Sequence, residues 1–241
     1  MAEQAMQRTV ASEGAIRARF EGVASTRGYD LVIRVVLICW ILFLALPNAT
    51  GVVARVRIRP EMWDLALLAE VLARSGVLLY FVLAAWLAVI RIRPVGKARG
   101  LQPRLSALAG SFLLLTVVLF PRHELSIGLN LLAAGLMLLG HVLAVYALAW
   151  LGRSFSIMAE ARRLVTDGPY ALVRHPLYLA EEIAVIGVFL QYASLWTALL
   201  CVAGFAFQLQ RMRNEERVLR ETFPEYEVYA ARTRRLIPGV Y

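Results

Sequence analysis

Long apolar runs constrain the fold of this chain more than any other feature of its sequence. A helix that crosses a bilayer needs roughly 20 mostly apolar residues, and four runs approach or exceed that length. They cover Leu31–Leu46, Leu65–Ile90, Leu105–Phe120 and Leu125–Trp150. A fifth run, Leu177–Gln210, has 34 residues with a polar interruption at Gln191–Ser194, which predicts two short helices in a hairpin. The sequence therefore predicts about six transmembrane helices.

The composition favours a membrane protein over a soluble one. Hydrophobic residues make up 60% of the 241-residue chain and charged residues 18%, against about 45–50% and about 25% in soluble domains. We predict an all-α integral membrane protein. The first 28 residues lack the features of a cleaved signal peptide, so we expect the first span to be retained. Cys39 and Cys201 lie in apolar runs, and their spacing indicates neither a disulfide nor a metal site.

The distribution of basic residues predicts the orientation in the membrane. The net charge of +9 would suggest a nucleic-acid partner in a soluble protein, but here the charges flank spans, so no nucleic-acid partner is expected. With six spans and both termini in the cytoplasm, 20 of the 26 basic residues lie inside and four outside. The Ala- and Arg-rich composition with a single lysine is typical of a high-GC bacterium, which predicts the bacterial inner membrane.

A rigid polar loop between two apolar runs is the first candidate functional segment. It has the sequence GPYALVRHPLY, from Gly168 to Tyr178. Asp167–Pro169 is typical of a tight turn, and Pro176 suits the first turn of the next helix. Irregular backbone near lipid is tolerated where it lines a cavity. The loop is thus either a ligand-binding segment at the membrane surface or a connector with interfacial Tyr and Arg anchors.

Acidic residues after the loop are the second candidate set. Arg211 and Glu215 have an i, i+4 spacing and share a helix face, although the Glu215–Glu216 pair also fits a solvated, salt-bridged surface. Glu181 and Glu182 lie one turn into an apolar helix, where carboxylates are costly and usually face a cavity or a partner, unless they lie in interfacial water. The three histidines are scattered, so we expect no metal site.

The order of these motifs resembles the isoprenylcysteine carboxyl methyltransferases and the related phospholipid methyltransferases. The resemblance covers about residues 150–238: a G-x-Y-x-x-x-R-H-P-x-Y run, an apolar hairpin, an E-E pair, a Phe-x-x-Tyr-x-x-Tyr stretch and a terminal Ile-Pro. It implies methyl transfer from S-adenosylmethionine, with a cytoplasmic C-terminal helix that closes a cofactor pocket. One departure is Ala180, where the family commonly has Gly.

The resemblance also implies roles for individual residues. Arg211 and Glu215 would be the catalytic residues, with Arg211 facing the acceptor. Glu181 and Glu182 are not a general feature of the family, and they are further candidate substrate residues because of their position in the apolar helix. The cofactor-binding residues would be Arg162, Arg163, Leu164, Val165, Tyr170, His175, Pro176, Leu177, Tyr178 and Glu215. The resulting division is a cytoplasmic segment over residues 1–30, a four-helix membrane region over 31–150 and a catalytic region over 151–241.

The nature of the acceptor stays open at the level of the sequence. Membrane lipids and a lipophilic or small acceptor are the expected partners. An ionised carboxylate would need orientation by Arg211, a thiol would need its thiolate favoured, and an amine would need a base such as Glu181 or Glu182. Two other functions compete: an NAD(P)H-dependent membrane reductase of the sterol type, and a non-catalytic membrane protein that keeps the fold.

Overall fold

The structure, a computed structural model, describes residues 27–57 and 63–239. The helices are α1 Arg27–Val56, α2 Leu65–Ile90, α3 Gln102–Phe112, α4 Ile127–Leu151, α5 Pro176–Gln191, α6 Leu195–Thr222 and α7 Tyr226–Arg232. Of the residues that the structure describes, 27–40, which begin α1, belong to one compact unit, and those from 41 onwards belong to a second. The predicted N-terminal segment, residues 1–30, lies almost entirely outside the described residues.

Three helices in the described part of the chain are long and apolar enough to cross a membrane. The candidate spans are Arg34–Val56, Leu65–Ile90 and Ile127–Ser154. They overlap three of the predicted spans, although the first continues to Val56, beyond its predicted end at Leu46. The run Leu105–Phe120 differs from a regular span, because α3 ends at Phe112 and a 3₁₀-helix, Leu113–Leu119, follows it. The chain is thus a mostly helical membrane protein, and the six-span count stays a prediction.

The apolar block after the polar loop forms two helices, as predicted. Helix α5 ends at Gln191, and α6 begins at Leu195 behind the N-cap Ser194, whose side chain accepts a hydrogen bond from the Thr197 amide at 3.1 Å. The 16 residues of α5 extend only about 24 Å, less than the roughly 30 Å of a hydrocarbon core. Helix α6 continues unbroken to Thr222, so the polar tail begins as an extension of the last apolar helix.

Helices α4 and α5 pack closely because both present small residues to each other. A Cβ atom added at Gly140 of α4 would lie 2.6 Å from the Ala184 amide nitrogen and 2.7 Å from the Ala180 carbonyl oxygen of α5. A Cβ atom added at Gly187 of α5 would lie 2.6 Å from the Ala133 carbonyl oxygen of α4. Small residues at such positions let helix backbones approach each other in membrane proteins. This contact fixes where α5, and the loop before it, lie against α4.

A two-residue antiparallel ladder adds a small β element to the predicted all-α fold. Strand β1, Gly96–Lys97, pairs with β2, Glu160–Ala161. Beyond the ladder, the Val95 amide donates to the Ala161 carbonyl at 2.8 Å. Because β1 follows α2 and β2 precedes Arg162, the ladder joins the end of α2 to the start of the predicted cofactor-binding segment.

Candidate active site

The polar loop has a defined conformation that depends on Gly168. This residue has a φ of +60°, which favours glycine, and a Cβ atom there would lie 2.5 Å from the Trp150 ring. A short 3₁₀-helix, Gly168–Ala171, follows. His175 then occupies the N-cap position of α5, with Pro176 in its first turn.

The loop, the end of α4 and the C-terminal helices enclose a first cavity of about 810 Å³, including the part open to solvent. Nine of the ten predicted cofactor-binding residues line it, together with Arg211. Those nine are Arg162, Arg163, Leu164, Val165, Tyr170, His175, Leu177, Tyr178 and Glu215. The exception is Pro176, which is buried in the first turn of α5 and is not among the lining residues.

Tyr178, Arg211 and Glu215 form a bonded cluster in this cavity. The Tyr178 hydroxyl donates to Glu215 Oε1, and Arg211 Nε donates to the same oxygen at 3.1 Å. The Arg211 guanidinium lies 4.8 Å from the centre of the Tyr178 ring and donates from Nη1 to Ser111 Oγ at 2.9 Å. Arg211 is only 4% exposed. A buried cation is thus held by a carboxylate, an aromatic face and a hydroxyl.

Glu215 keeps one carboxylate oxygen open to the cavity. The hydrogen bonds from Tyr178 and Arg211 both go to Oε1. The other oxygen, Oε2, lies 4.0 Å from His175 Nδ1. That distance exceeds a hydrogen bond. The His175 ring stacks on Tyr178 with centroids 5.3 Å apart and planes inclined by 10°. An acceptor oxygen therefore lies beside a flat aromatic pair.

Glu216, the next residue, faces away from this cluster and is completely buried. Its carboxylate accepts hydrogen bonds from Arg174 Nε at 3.0 Å and from Arg235 Nη2 at 3.0 Å, and His175 Nε2 lies 3.3 Å away. Burial opposes the charge of Glu216, but the hydrogen bonds from His175 and Arg235 and the nearby positive charges lower its pKa to about 2. The sequence predicted no role for Glu216.

The C-terminal segment, Tyr226–Leu236, lies against the loop and is bonded to it by Arg174. Arg174 Nη1 donates to the carbonyls of Ala230 and Thr233, both at 2.7 Å. The Arg174 amide donates to the Arg234 carbonyl at 2.7 Å, and the His175 amide donates to the Arg235 carbonyl at 2.9 Å. The chain segment after α6 thus fixes the backbone of the loop at the N-terminus of α5.

Aromatic side chains of the same segment complete one side of the first cavity. Tyr226 and Tyr229 line it, and the Tyr229 hydroxyl donates to the Tyr170 carbonyl at 2.6 Å. Burial, with the charge of Glu215 as a smaller cause, raises the pKa of the Tyr170 hydroxyl. Burial likewise raises the pKa of the Tyr226 hydroxyl. These phenols stay neutral near pH 7 and present hydrogen-bonding groups rather than charges.

Arg162 lines the first cavity, but its guanidinium is bonded to other groups of the protein. Its side chain is fully buried, forms an ion pair with Glu160 at 2.5 Å and donates from Nη1 to the Ile92 carbonyl. Arg163 is exposed. Of these two predicted cofactor-binding residues, Arg162 therefore holds the segment against the end of α2, and Arg163 has the freer guanidinium.

Glu181 and Glu182 do not lie in the first cavity. They line a second cavity of about 1290 Å³, including the part open to solvent, which lies between the helices and is lined mostly by apolar side chains. Leu177 and Arg211 line both cavities. The sequence-predicted residues thus divide into two neighbouring sites with Arg211 between them.

Sequence reasoning missed several residues of both sites, and some had a detectable signal. Arg174 and Glu216 each stand beside a predicted residue, in the Arg-His and Glu-Glu pairs of the quoted motifs. Tyr80, Ser111 and Gln208 also line the second cavity. They had no such signal, because they lie in apolar runs where polar residues are also common as packing elements.

Parts of the chain are similar to known proteins. Residues 129–226 match the model of the family described as phospholipid methyltransferase. The cobalt-zinc-cadmium resistance protein CzcN of Cupriavidus metallidurans is 37% identical over 99 residues, which cover 38% of this chain and 45% of that protein. The protein-S-isoprenylcysteine O-methyltransferase of Schizosaccharomyces pombe is 34% identical over 113 residues, which cover 44% of this chain and 48% of that protein.

A solved structure of the eukaryotic intramembrane Ras methyltransferase, isoprenylcysteine carboxyl methyltransferase, superposes with a TM-score of 0.46 and 18% identity, over 98% of this chain and 86% of that one. The curated relatives above are matched over less than half of their length. The matched region is similar to membrane methyltransferases. More particularly, it is similar to protein-S-isoprenylcysteine O-methyltransferases, which confirms the resemblance predicted from the motifs.

Proposed function

We propose that this chain is an integral-membrane methyltransferase that uses S-adenosylmethionine and methylates a lipophilic or small acceptor at the cytoplasmic face of the bacterial inner membrane. One observation carries the proposal. Residues predicted from a methyltransferase-like motif line one cavity, although Arg162 and Glu215 are 53 positions apart in the sequence. Arg211 lines both this cavity and the largely apolar second cavity. The cytoplasmic placement of both termini follows from the distribution of basic residues.

The first cavity has groups that suit S-adenosylmethionine. The open Oε2 of Glu215 suits the ammonium or ribose hydroxyls of the cofactor, and the exposed Arg163 suits its carboxylate. The stacked His175–Tyr178 pair offers a flat surface for the adenine ring or the sulfonium.

The residues of this chain would contribute to catalysis by positioning the two ligands. Bound S-adenosylmethionine supplies an electrophilic methyl group, and transfer needs the acceptor in line and water excluded. The protein contributes position: Leu177 and Arg211, which line both cavities, mark the place where two ligands meet. Hydrogen bonds to Glu215 and Ser111 hold the Arg211 guanidinium in position there.

Binding measurements on the full chain in detergent test the proposal. We expect S-adenosylmethionine and S-adenosylhomocysteine to raise the unfolding temperature of the wild type, whereas NADPH leaves it unchanged. Glu215→Ala and His175→Ala should abolish that shift, because they remove the open acceptor and the stacked ring. Glu221→Ala, which removes an exposed acid from the same helix, is the matched control.

The competing functions have distinct outcomes in this experiment. A response to NADPH alone would favour the reductase, and no response to either cofactor would favour a non-catalytic protein. Normal binding of S-adenosylmethionine by Glu215→Ala would show that the first cavity is not the cofactor site.

A further inference from the structure

A third cavity lies at the end of α4 and α5 that is opposite the candidate active site. Leu151, the last residue of α4, lines the first cavity, whereas Asn130, near the start of α4, lines the third. These two residues are 21 positions apart, which is about 32 Å along a helix and similar to the roughly 30 Å of a hydrocarbon core. The third cavity has a volume of about 1020 Å³, including the part open to solvent. It is therefore separate from the proposed cofactor site.

Three arginines surround one carboxylate at this cavity. Arg55 Nη2 of α1 lies 2.6 Å from Glu70 Oε1 of α2, and Arg74 Nη2 of α2 lies 3.1 Å from the same oxygen. Arg122 Nη1, from the segment before α4, lies 3.5 Å from it. Three positive charges therefore face one negative charge among the described residues, an excess of two. Arg74 is about 14 Å from the start of α2, at a depth where charged side chains usually mark a functional site.

The protein holds these guanidinium groups in place. Arg55 Nη1 donates to the Gly51 carbonyl at 3.2 Å. A Cβ atom added at Gly51 would lie 2.8 Å from Arg74 Nη1, so the α1 backbone packs against that guanidinium. The His123 amide donates to the Gln191 carbonyl at 3.0 Å, which fixes the segment before α4 against the end of α5. The positive cluster is thus preorganised by different parts of the chain.

Some of the guanidinium nitrogens have no hydrogen-bond partner in the part of the chain that the structure describes. Arg74 uses Nε and Nη2 for Glu70, which leaves its Nη1. Arg122 is exposed, and its Nη1 contact with Glu70 leaves its Nε and Nη2. Asn130 and Tyr192 add neutral polar groups to the lining. The cavity therefore offers positively charged donors to a ligand that supplies acceptors.

The rest of the cavity is lined mainly by apolar side chains. Val77, Leu131 and Met137 contribute to it from α2 and α4. Leu114 and Val188 line both this cavity and the second one. A ligand that fills the whole space therefore needs an anionic group at one end and hydrocarbon at the other, and an anionic membrane lipid has both.

We propose that the third cavity binds the phosphate group of an anionic membrane lipid, with Arg74 and Arg122 donating to its oxygens. A negative charge offsets the excess of positive charge, and guanidinium groups bind phosphate oxygens with paired hydrogen bonds. A carboxylate has two oxygens, whereas a phosphate presents more of them to two cations at once. Inorganic phosphate has the same chemistry but leaves the apolar part of the cavity unfilled. The proposal does not rest on methyl transfer.

Probes with matched acyl chains test the head group. We would measure the unfolding temperature of the delipidated full chain in detergent during titration with dioleoylphosphatidylglycerol, dioleoylphosphatidylcholine, dioleoylglycerol, oleate or inorganic phosphate. We expect dioleoylphosphatidylglycerol to stabilise the protein at the lowest concentration. Dioleoylphosphatidylcholine should act more weakly, because the arginines repel its choline, and dioleoylglycerol, which has no phosphate, should have no effect.

The other outcomes of this titration contradict the proposal at different points. Equal stabilisation by inorganic phosphate and dioleoylphosphatidylglycerol would retain the phosphate site and overturn its assignment to a lipid. Equal stabilisation by dioleoylglycerol, or stronger stabilisation by oleate, would overturn the phosphate site itself. The absence of a response to both dioleoylphosphatidylglycerol and inorganic phosphate would do the same.

Arg122→Gln assigns the binding to the cluster with little risk to folding, because Arg122 is exposed. This variant should bind dioleoylphosphatidylglycerol roughly tenfold to a hundredfold more weakly, the range expected for losing one charge-assisted hydrogen bond. Arg57→Gln is the matched control, because Arg57 is an exposed arginine directly after α1 and is not among the lining residues. Equal binding of the lipid by the wild type and Arg122→Gln would overturn the proposal.

Glu70→Gln separates a binding site from a cluster that only joins α1 to α2. Loss of the carboxylate should destabilise the lipid-free protein, because it removes the partner of Arg55 and Arg74. It also raises the excess of positive charge from two to three, so dioleoylphosphatidylglycerol should bind more tightly and restore stability. A loss of stability with no gain in lipid affinity would show that the cluster only joins the helices.

This proposal and the proposed function fail in different measurements. Binding of S-adenosylmethionine takes place in the first cavity, so Arg122→Gln should leave it unchanged. A wild type that bound dioleoylphosphatidylglycerol but not S-adenosylmethionine would contradict the proposed function alone. A wild type that bound S-adenosylmethionine but neither dioleoylphosphatidylglycerol nor inorganic phosphate would contradict the lipid site alone.

Discussion

Glu216→Gln is the change that best tests how the loop is held. The substitution keeps the shape of the side chain and removes its charge from the contacts with Arg174, Arg235 and His175. Disrupting a buried, hydrogen-bonded ion pair typically costs about 3–5 kcal/mol. The same contacts lower the pKa of Glu216 to about 2, which corresponds to an effect of the same order, roughly 3 kcal/mol.

Hydrogen exchange of the loop amides is the assay that measures this cost. The amides of Arg174 and His175 are bonded to carbonyls of the C-terminal segment. A loss of about 3 kcal/mol in the free energy of local opening accelerates their exchange roughly a hundredfold. Glu227→Gln is the matched control, because Glu227 is 68% exposed and pairs with Arg220 at the surface, where ion pairs contribute below about 1 kcal/mol.

The pH dependence gives a second measure of the same interaction. The folded-state pKa of Glu216 lies below its ordinary value of 4.5, so the stabilisation is complete above about pH 4.5 and is lost as pH falls towards 2. Exchange of the loop amides, corrected for intrinsic rates, should therefore increase over that range in the wild type and less in Glu216→Gln. If Glu216→Gln and Glu227→Gln accelerated exchange equally, the ion-pair cluster would not hold the loop.

Two further substitutions probe the helix contact and the residue between the cavities. Gly140→Leu should lower the unfolding temperature in detergent, at a cost of about 2 kcal/mol or more, because the new side chain meets the α5 backbone. Gly135→Ala is the control and should not lower it, because the Cβ position of Gly135 lies in open space. Equal effects of the two substitutions would refute close packing of α4 and α5. Arg211→Ala should keep binding of S-adenosylmethionine and lose methyl transfer, as measured by calorimetry and product formation; full turnover by this variant would exclude Arg211 from the reaction.

The sequence was sufficient for features that depend on local pattern. The polar interruption at Gln191–Ser194 predicted the break between α5 and α6, because a polar stretch with Ser in the N-cap position favours a new helix. Apolar length predicted α2 and α4 almost to the residue. The residues that line the first cavity were predicted from the motif resemblance, which relates the loop to Glu215 although a helical hairpin separates them in the sequence. Hydrophobic periodicity alone does not predict how that hairpin brings them together.

The rest depended on contacts between distant segments. Glu215 and Glu216 are neighbours on one helix, and helical geometry turns them about 100° apart. Glu216 is the one that is buried, because the C-terminal segment folds back over α6 and Arg235 donates a hydrogen bond to the Glu216 carboxylate. Likewise, Tyr80 reaches Glu181 from 101 positions away, and nothing in the apolar run around Tyr80 indicates that contact.

The bonds between the loop and the C-terminal segment bear on how the protein is made. Translation produces the loop and both helices of the hairpin before it produces Arg234 and Arg235, whose carbonyls bond the amides of Arg174 and His175. During insertion into the membrane, the nascent protein therefore has its apolar helices before it has a complete first cavity. Competence to bind a ligand there therefore arises only after both helices of the hairpin have been synthesised.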